Sequence, residues 1–138
     1  MPNALPKRAT ALLLSAIAAV LVLFALYTWF TLSWSYSEGE RAGYLQKFSK
    51  KGWLCKTWEG ELLLSSMPGA IPERFSFTVR DDAVANQLLA AMGQRVQVTY
   101  EQHRGVPTTC FGETEYFATK ASAGPVNPVA PSNAAPAQ

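Results

Sequence analysis

Cysteine and histidine are scarce in this chain: Cys55, Cys110 and His103 are all there is of either. Zinc sites built from such residues need ligands a few positions apart, and these three have no such partners, so no metal is expected. No G-x-G-x-x-G follows a strand pattern, and the chain has no room for a dinucleotide fold plus a substrate domain. Charge is absent from Ala9 to Tyr36 and again from Ala121 to Gln138. Net charge is close to nil where it would matter. Of the twelve Lys and Arg, Lys7 and Arg8 precede the apolar run, and the other ten are matched by ten Asp and Glu between Glu38 and Lys120. Nucleic-acid binders draw much of their affinity from phosphate neutralisation, so this balance leads to the expectation of no nucleic-acid partner.

The first uncharged stretch reads as a membrane anchor. About twenty helical residues at about 1.5 Å each cross the roughly 30 Å hydrocarbon layer. Residues 9–34 exceed that, with Leu12, Leu13, Leu14, Ile17 and Val20 to Phe24 at the centre. Tyr27, Trp29, Phe30, Trp34 and Tyr36 crowd the C-terminal end, the ring types that settle at headgroup level. Lys7 and Arg8 flank one side, while Glu38 and Glu40 come first on the other. The positive-inside rule then makes 1–8 a cytoplasmic N-terminus and puts the chain beyond the anchor outside. A cleaved signal peptide is the competing reading; the length of the run and the bulky residues after it speak against one.

Residues 35–42 read as a polar linker and 43–120 as a small, mostly β domain outside the cytoplasm. Strand patterns cover 43–48 and 53–64. From Arg74 to Arg80 the alternation is clean, with Phe75, Phe77 and Val79 on one side. Asp81 can cap a helix carrying Val84, Leu88 and Met92, which Gly93 would stop. Val96, Val98 and Tyr100 mark the buried side of a fourth strand, and 114–120 supplies a fifth. Five strands with one helix between the third and fourth point to an OB-like barrel, with an SH3-like barrel or a β-sandwich fragment as the alternatives. Residues 121–138 hold four prolines and no aromatic, the composition of a disordered tail.

The run Gly39-x-Arg41-x-Gly43-x-Leu45-x-Lys47-Phe48-Ser49-x-Lys51-Gly52, continued by Lys56-Thr57-x-Glu59-Gly60-Glu61-Leu62, resembles a family of short, uncharacterised bacterial proteins with an N-terminal anchor. The resemblance spans about residues 36–120 and implies architecture and a bacterial origin. Some members bear the name 6-phosphogluconate dehydrogenase, an activity for which this chain has no motif.

Outside the cytoplasm Cys55 and Cys110 could form a disulfide; two separate thiols are the alternative. His103 reads as a solvated strand end, and Glu59 and Glu61 as surface ion pairs. Lys47, Lys50, Lys51 and Lys56 interleave with Phe48, Trp53 and Trp58; together with Arg74 they are the candidate contact surface for a partner protein or for anionic headgroups. The expectation is a non-enzymatic interaction module at the bacterial inner membrane, without cofactor, touching the lipid bilayer and an envelope protein. A small-ligand binder or carrier, for lipid, glycan or haem, is the alternative.

Overall fold

A computed structural model describes residues 6–64 and 69–124. Helix α1 runs Lys7–Ser33. Its 27 residues span about 40 Å. Its apolar side chains are exposed along nearly the whole length, and it is long and apolar enough to cross a membrane. Thr31 is its one buried residue.

Strands β1 (Ser37–Lys51), β2 (Thr57–Leu64) and β3 (Glu73–Val79) precede helix α2 (Asp82–Ala90), and β4 (Arg95–Gln102) and β5 (Tyr116–Ala123) follow it. The sheet closes in the order β1-β2-β3-β5-β4. This is the OB arrangement expected from the strand pattern. Closure needs one strand to serve two neighbours. The first half of β1 pairs with β4, from Ser37↔Gln102 to Tyr44↔Arg95. Its second half pairs with β2, from Tyr44↔Leu63 to Lys51↔Thr57, with a register shift between Leu45 and Lys47. A bulge of this kind bends a strand from one neighbour to the next.

The interior is filled by Leu45, Phe48, Leu62, Phe75, Phe77, Val79, Val96 and Val98. Val84, Ala85 and Leu88 of α2 join this core, so the helix plugs one end of the barrel. The Asp81 carboxylate accepts from the Ala83 backbone N–H at 2.7 Å, the cap expected of it. Met92 lies beyond the helix and is 41% exposed; Ala91 takes its place against the core.

Several boundaries differ from the sequence expectation: the strand expected over 53–64 begins at Thr57, and the one expected over 43–48 runs on to Lys51. The expected linker 35–42 is mostly strand: Glu38, Glu40 and Ala42 point outward from β1, and the solvated charges hid the pairing with β4. The last strand starts and ends later than 114–120 and takes in residues 121–123 of the expected tail. Of that tail, 125–138 lies outside the described residues, as do residues 1–5 of the expected cytoplasmic segment.

Candidate functional site

Strand alternation sends Glu59, Thr78 and Phe117 to the outside of the barrel, yet their exposures are only 7%, 0% and 4%. They are register partners, Glu59↔Thr78 across β2 and β3 and Thr78↔Phe117 across β3 and β5. What covers them is the loop joining β4 to β5. A Cβ at Gly112 would stand 2.8 Å from the Thr78 side chain and 3.0 Å from the Phe117 ring, so only glycine lets the loop lie this close.

The cover is bonded down. Glu59 Oε1 accepts from the Thr57 hydroxyl at 2.7 Å and from the Glu113 backbone N–H at 3.1 Å. Its Oε2 accepts from the Thr78 hydroxyl at 2.8 Å. No described cation pairs with this carboxylate, so hydrogen bonds offset its burial. The surface ion pair expected for Glu59 is therefore corrected: the loop turns an outward position into a buried one. A disulfide joins Cys55 to Cys110 with a Cα–Cα distance of 4.9 Å and ties the loop to the β1–β2 tip. Lys51 Nζ reaches Glu113 at 3.7 Å on the rim.

The same loop meets α1. His103 is 5% exposed rather than solvated, because its ring sits under the helix end. Nδ1 lies 3.1 Å from both the Thr31 and Trp34 carbonyl oxygens, and Nε2 lies 3.3 Å from a Glu101 carboxylate oxygen. Both ring nitrogens thus face oxygen acceptors. The Tyr27 hydroxyl donates to the Gly105 carbonyl at 3.0 Å, and the Tyr36 N–H to the Gln102 carbonyl at 2.7 Å. Arg104 stacks over the Tyr36 ring at 4.4 Å. Two of the expected interfacial aromatics, Tyr27 and Tyr36, therefore hold the barrel to the helix. Trp29 stays exposed, and Phe30 and Trp34 pair with their ring centroids 5.7 Å apart.

The expected contact residues separate into several places. Phe48 is core and stacks on Trp58 at 5.2 Å with the rings parallel. Lys50 Nζ covers Trp58 at 5.3 Å, and Trp58 Nε1 donates to Asp82 at 3.3 Å. Lys50, Lys56, Trp58 and Cys110 line a cleft of 310 Å³ together with Arg80 and Phe111, neither of which stood out in the sequence. Lys47 and Lys51 line another cleft beside Glu59, Glu61 and Glu113. Arg74 is corrected out of the group: its partner is Leu63 at the far end of β3, in a cleft with Gln46 and Ile71. Trp53 stands fully exposed at the tip. The signal that could have found the basic cleft was the cysteine pair, since a Cys55–Cys110 bond brings Phe111 to Lys56.

Residues 34–124 match the family described as a domain of unknown function (DUF8785), and the chain belongs to that family. No curated protein matches it. Among solved structures, the barrel is similar to a mitochondrial single-stranded DNA binding protein from S. cerevisiae, Rim1. The TM-score is 0.50 at 10% identity, over 65% of this chain and 95% of that one. The likeness is one of fold, and it corrects the exclusion of nucleic acid drawn from the neutral charge. Net charge was the wrong measure, because single-strand binders work through a local basic groove with stacking rings. Lys50, Lys56 and Arg80 gather locally in a segment, Glu38 to Lys120, whose charges balance.

Proposed function

We propose that this member of the family is a non-enzymatic interaction module tethered by α1 to a bacterial inner membrane. The N-terminus is cytoplasmic, and the barrel stands on the far side, where it binds another envelope protein or assists a membrane complex. Lys7 and Arg8 against Glu38 and Glu40 support the orientation. The Cys55–Cys110 bond supports an oxidising compartment. The resemblance to short anchored bacterial proteins supports the origin. The groups that chemistry would call on are committed elsewhere: Glu59 to the loop, His103 to the helix end, both cysteines to each other.

The observation that carries the reading is the cleft at Trp58. Lys50, Lys56 and Arg80 surround a ring whose orientation is fixed by Phe48 and Asp82, on a barrel whose β2–β3 face is covered by its own loop. Such a rim suits an acidic segment of a partner protein. The filled interior weighs against a small ligand carried inside the barrel.

Single-stranded nucleic acid is the second reading, favoured by the likeness in fold and by the same three cations. Trp58 is a poor stacking platform for a base, since Phe48 already stacks on its ring and Lys50 lies over it. A photo-crosslinker at Lys56 in the full chain, in living cells, tests the first reading. One protein should be captured, and the adduct should disappear in K50E/R80E while a crosslinker at Lys120 captures nothing. Titration of the purified chain with oligo-dT tests the second. Tight binding that falls steeply with salt, without a protein adduct, would replace the first reading with it.

A further inference from the structure

Trp53 and Leu54 stand side by side at the β1–β2 tip with their side chains open to solvent. Ile71 is the one other large apolar side chain of the described barrel so exposed. The tip is not a loose loop. Gly52 holds φ at 137°, and a Cβ there would collide with the Cys55 carbonyl, so glycine alone fits the turn. Cys55 is in turn bonded to Cys110. The fold thus holds two large apolar side chains out in water, flanked by Lys50, Lys51 and Lys56.

Their surroundings identify what covers them. Tyr27, which bonds Gly105, lies seven residues before Trp34, about 10 Å back along the helix axis. The β4–β5 loop therefore hangs beside the last two turns of α1, the level at which interfacial aromatics gather. Cys110, further along that loop, carries the tip. Tryptophan beside leucine with a collar of lysines is the composition that partitions into a headgroup layer of anionic character. The tether makes such a contact intramolecular, so weak affinity per residue suffices.

We propose that the Trp53–Leu54 tip is a second membrane contact. Its side chains enter the interfacial layer of the bilayer that α1 spans, and the positive charge of the neighbouring lysines favours anionic over neutral headgroups without taking Lys50 and Lys56 out of the cleft. The contact would fix the tilt of the barrel and hold the basic cleft facing along the membrane. It rests on the reading of α1 as membrane-spanning.

The test uses the full chain in vesicles of phosphatidylcholine, with and without phosphatidylglycerol, carrying brominated acyl chains. In W29F/W34F the emission comes from Trp53 and Trp58. Blue-shifted emission quenched by the bromolipid, stronger with phosphatidylglycerol and lost in W29F/W34F/W53S, is the expected result. Emission that stays red and is quenched by aqueous iodide would overturn the proposal. So would a tip that is solvent-exposed in vesicles and shielded only by a captured protein in cells. Wild type supplies the control, because Trp29 and Trp34 report the anchor itself. If they are quenched and Trp53 is not, the tip fails alone. If none is quenched, the membrane-spanning reading fails with it.

Discussion

Strands β2, β3 and β5 are buried on their inner face and, around Glu59, Thr78 and Phe117, on their outer face as well, by different means. The inner face is apolar: Leu62, Phe75, Phe77 and Val79 pack against Leu45, Val96 and Val98. Its burial comes from closing the sheet and needs no specific partner. The outer face carries Glu59, Thr78 and Phe117, and it is buried because one loop is bonded over it. Hydrophobic burial is non-directional and scales with area, whereas the outer face depends on a few directed bonds and one disulfide. The inner face should therefore dominate stability, and the outer face should decide where the loop, the tip and the helix end sit.

The largest expected effect breaks the inner face. Phe77→Ala removes a fully buried ring at the centre of the barrel and should cost about 3–5 kcal/mol. For a barrel this small that approaches the whole stability. Chemical denaturation followed by circular dichroism would measure it; a shift below about 1 kcal/mol would mean that the interior is far less tightly packed than its side-chain burial implies.

Next comes the covalent tie. Replacing both cysteines with serine frees a loop whose ends are separated by 55 positions and should cost about 2–4 kcal/mol. The comparison sharpens if the variant keeps its strand circular dichroism while amide exchange rises in 108–115 and at the tip. Should the tip stay as protected as before, the hydrogen bonds to Glu59 would be sufficient on their own.

Legibility in the sequence divides along the same line. The inner face announces itself by alternation, in Phe75-Phe77-Val79 and Val96-Val98-Tyr100, and Asp81 marks the helix start. The outer face carries no such signal. Glu59 and Thr78 look like solvated residues because their type reports what they would do in water, and a loop 54 and 36 positions further on supplies the cover. His103 misled in the same way: within Gln102-His103-Arg104-Gly105 it looks like a turn, and its partners are carbonyls of a helix 72 and 69 positions earlier. The first half of β1 was missed because Glu38 and Glu40 sit on the outward side of a strand whose inward side carries Gly39 and Gly43, leaving little apolar alternation to read.

A smaller effect probes the polar bonds themselves. Glu59→Ala leaves the Glu113 N–H and the Thr57 and Thr78 hydroxyls without their acceptor and should cost about 2 kcal/mol. Hydrogen exchange should speed up at Glu113 and Thr114 before anything changes in β4. If exchange rose equally in the interior, the two faces would form a single cooperative unit and the distinction between them would fall.

The smallest effects belong to the joint between barrel and helix, and they read position more than stability. His103→Ala removes the contacts to the Thr31 and Trp34 carbonyls and should cost about 1.5 kcal/mol; Tyr27→Phe removes a single bond and should cost about 1 kcal/mol or less. Neither touches the core cluster, so the denaturation midpoint should barely move in Tyr27→Phe. What should change is the angle between helix and barrel. Spin labels on α1 near Phe24 and on the exposed end of α2 near Leu89 should give a narrow distance distribution in the wild type and a broader one in His103→Ala, with Tyr27→Phe between them. An unchanged distribution in His103→Ala would show that the β1 connection alone sets the angle, since Tyr36 already pairs with Gln102 where the chain leaves the helix. His103 would then be a buried filler against Phe117, 5.3 Å away, and the outer face would end at the loop instead of reaching α1.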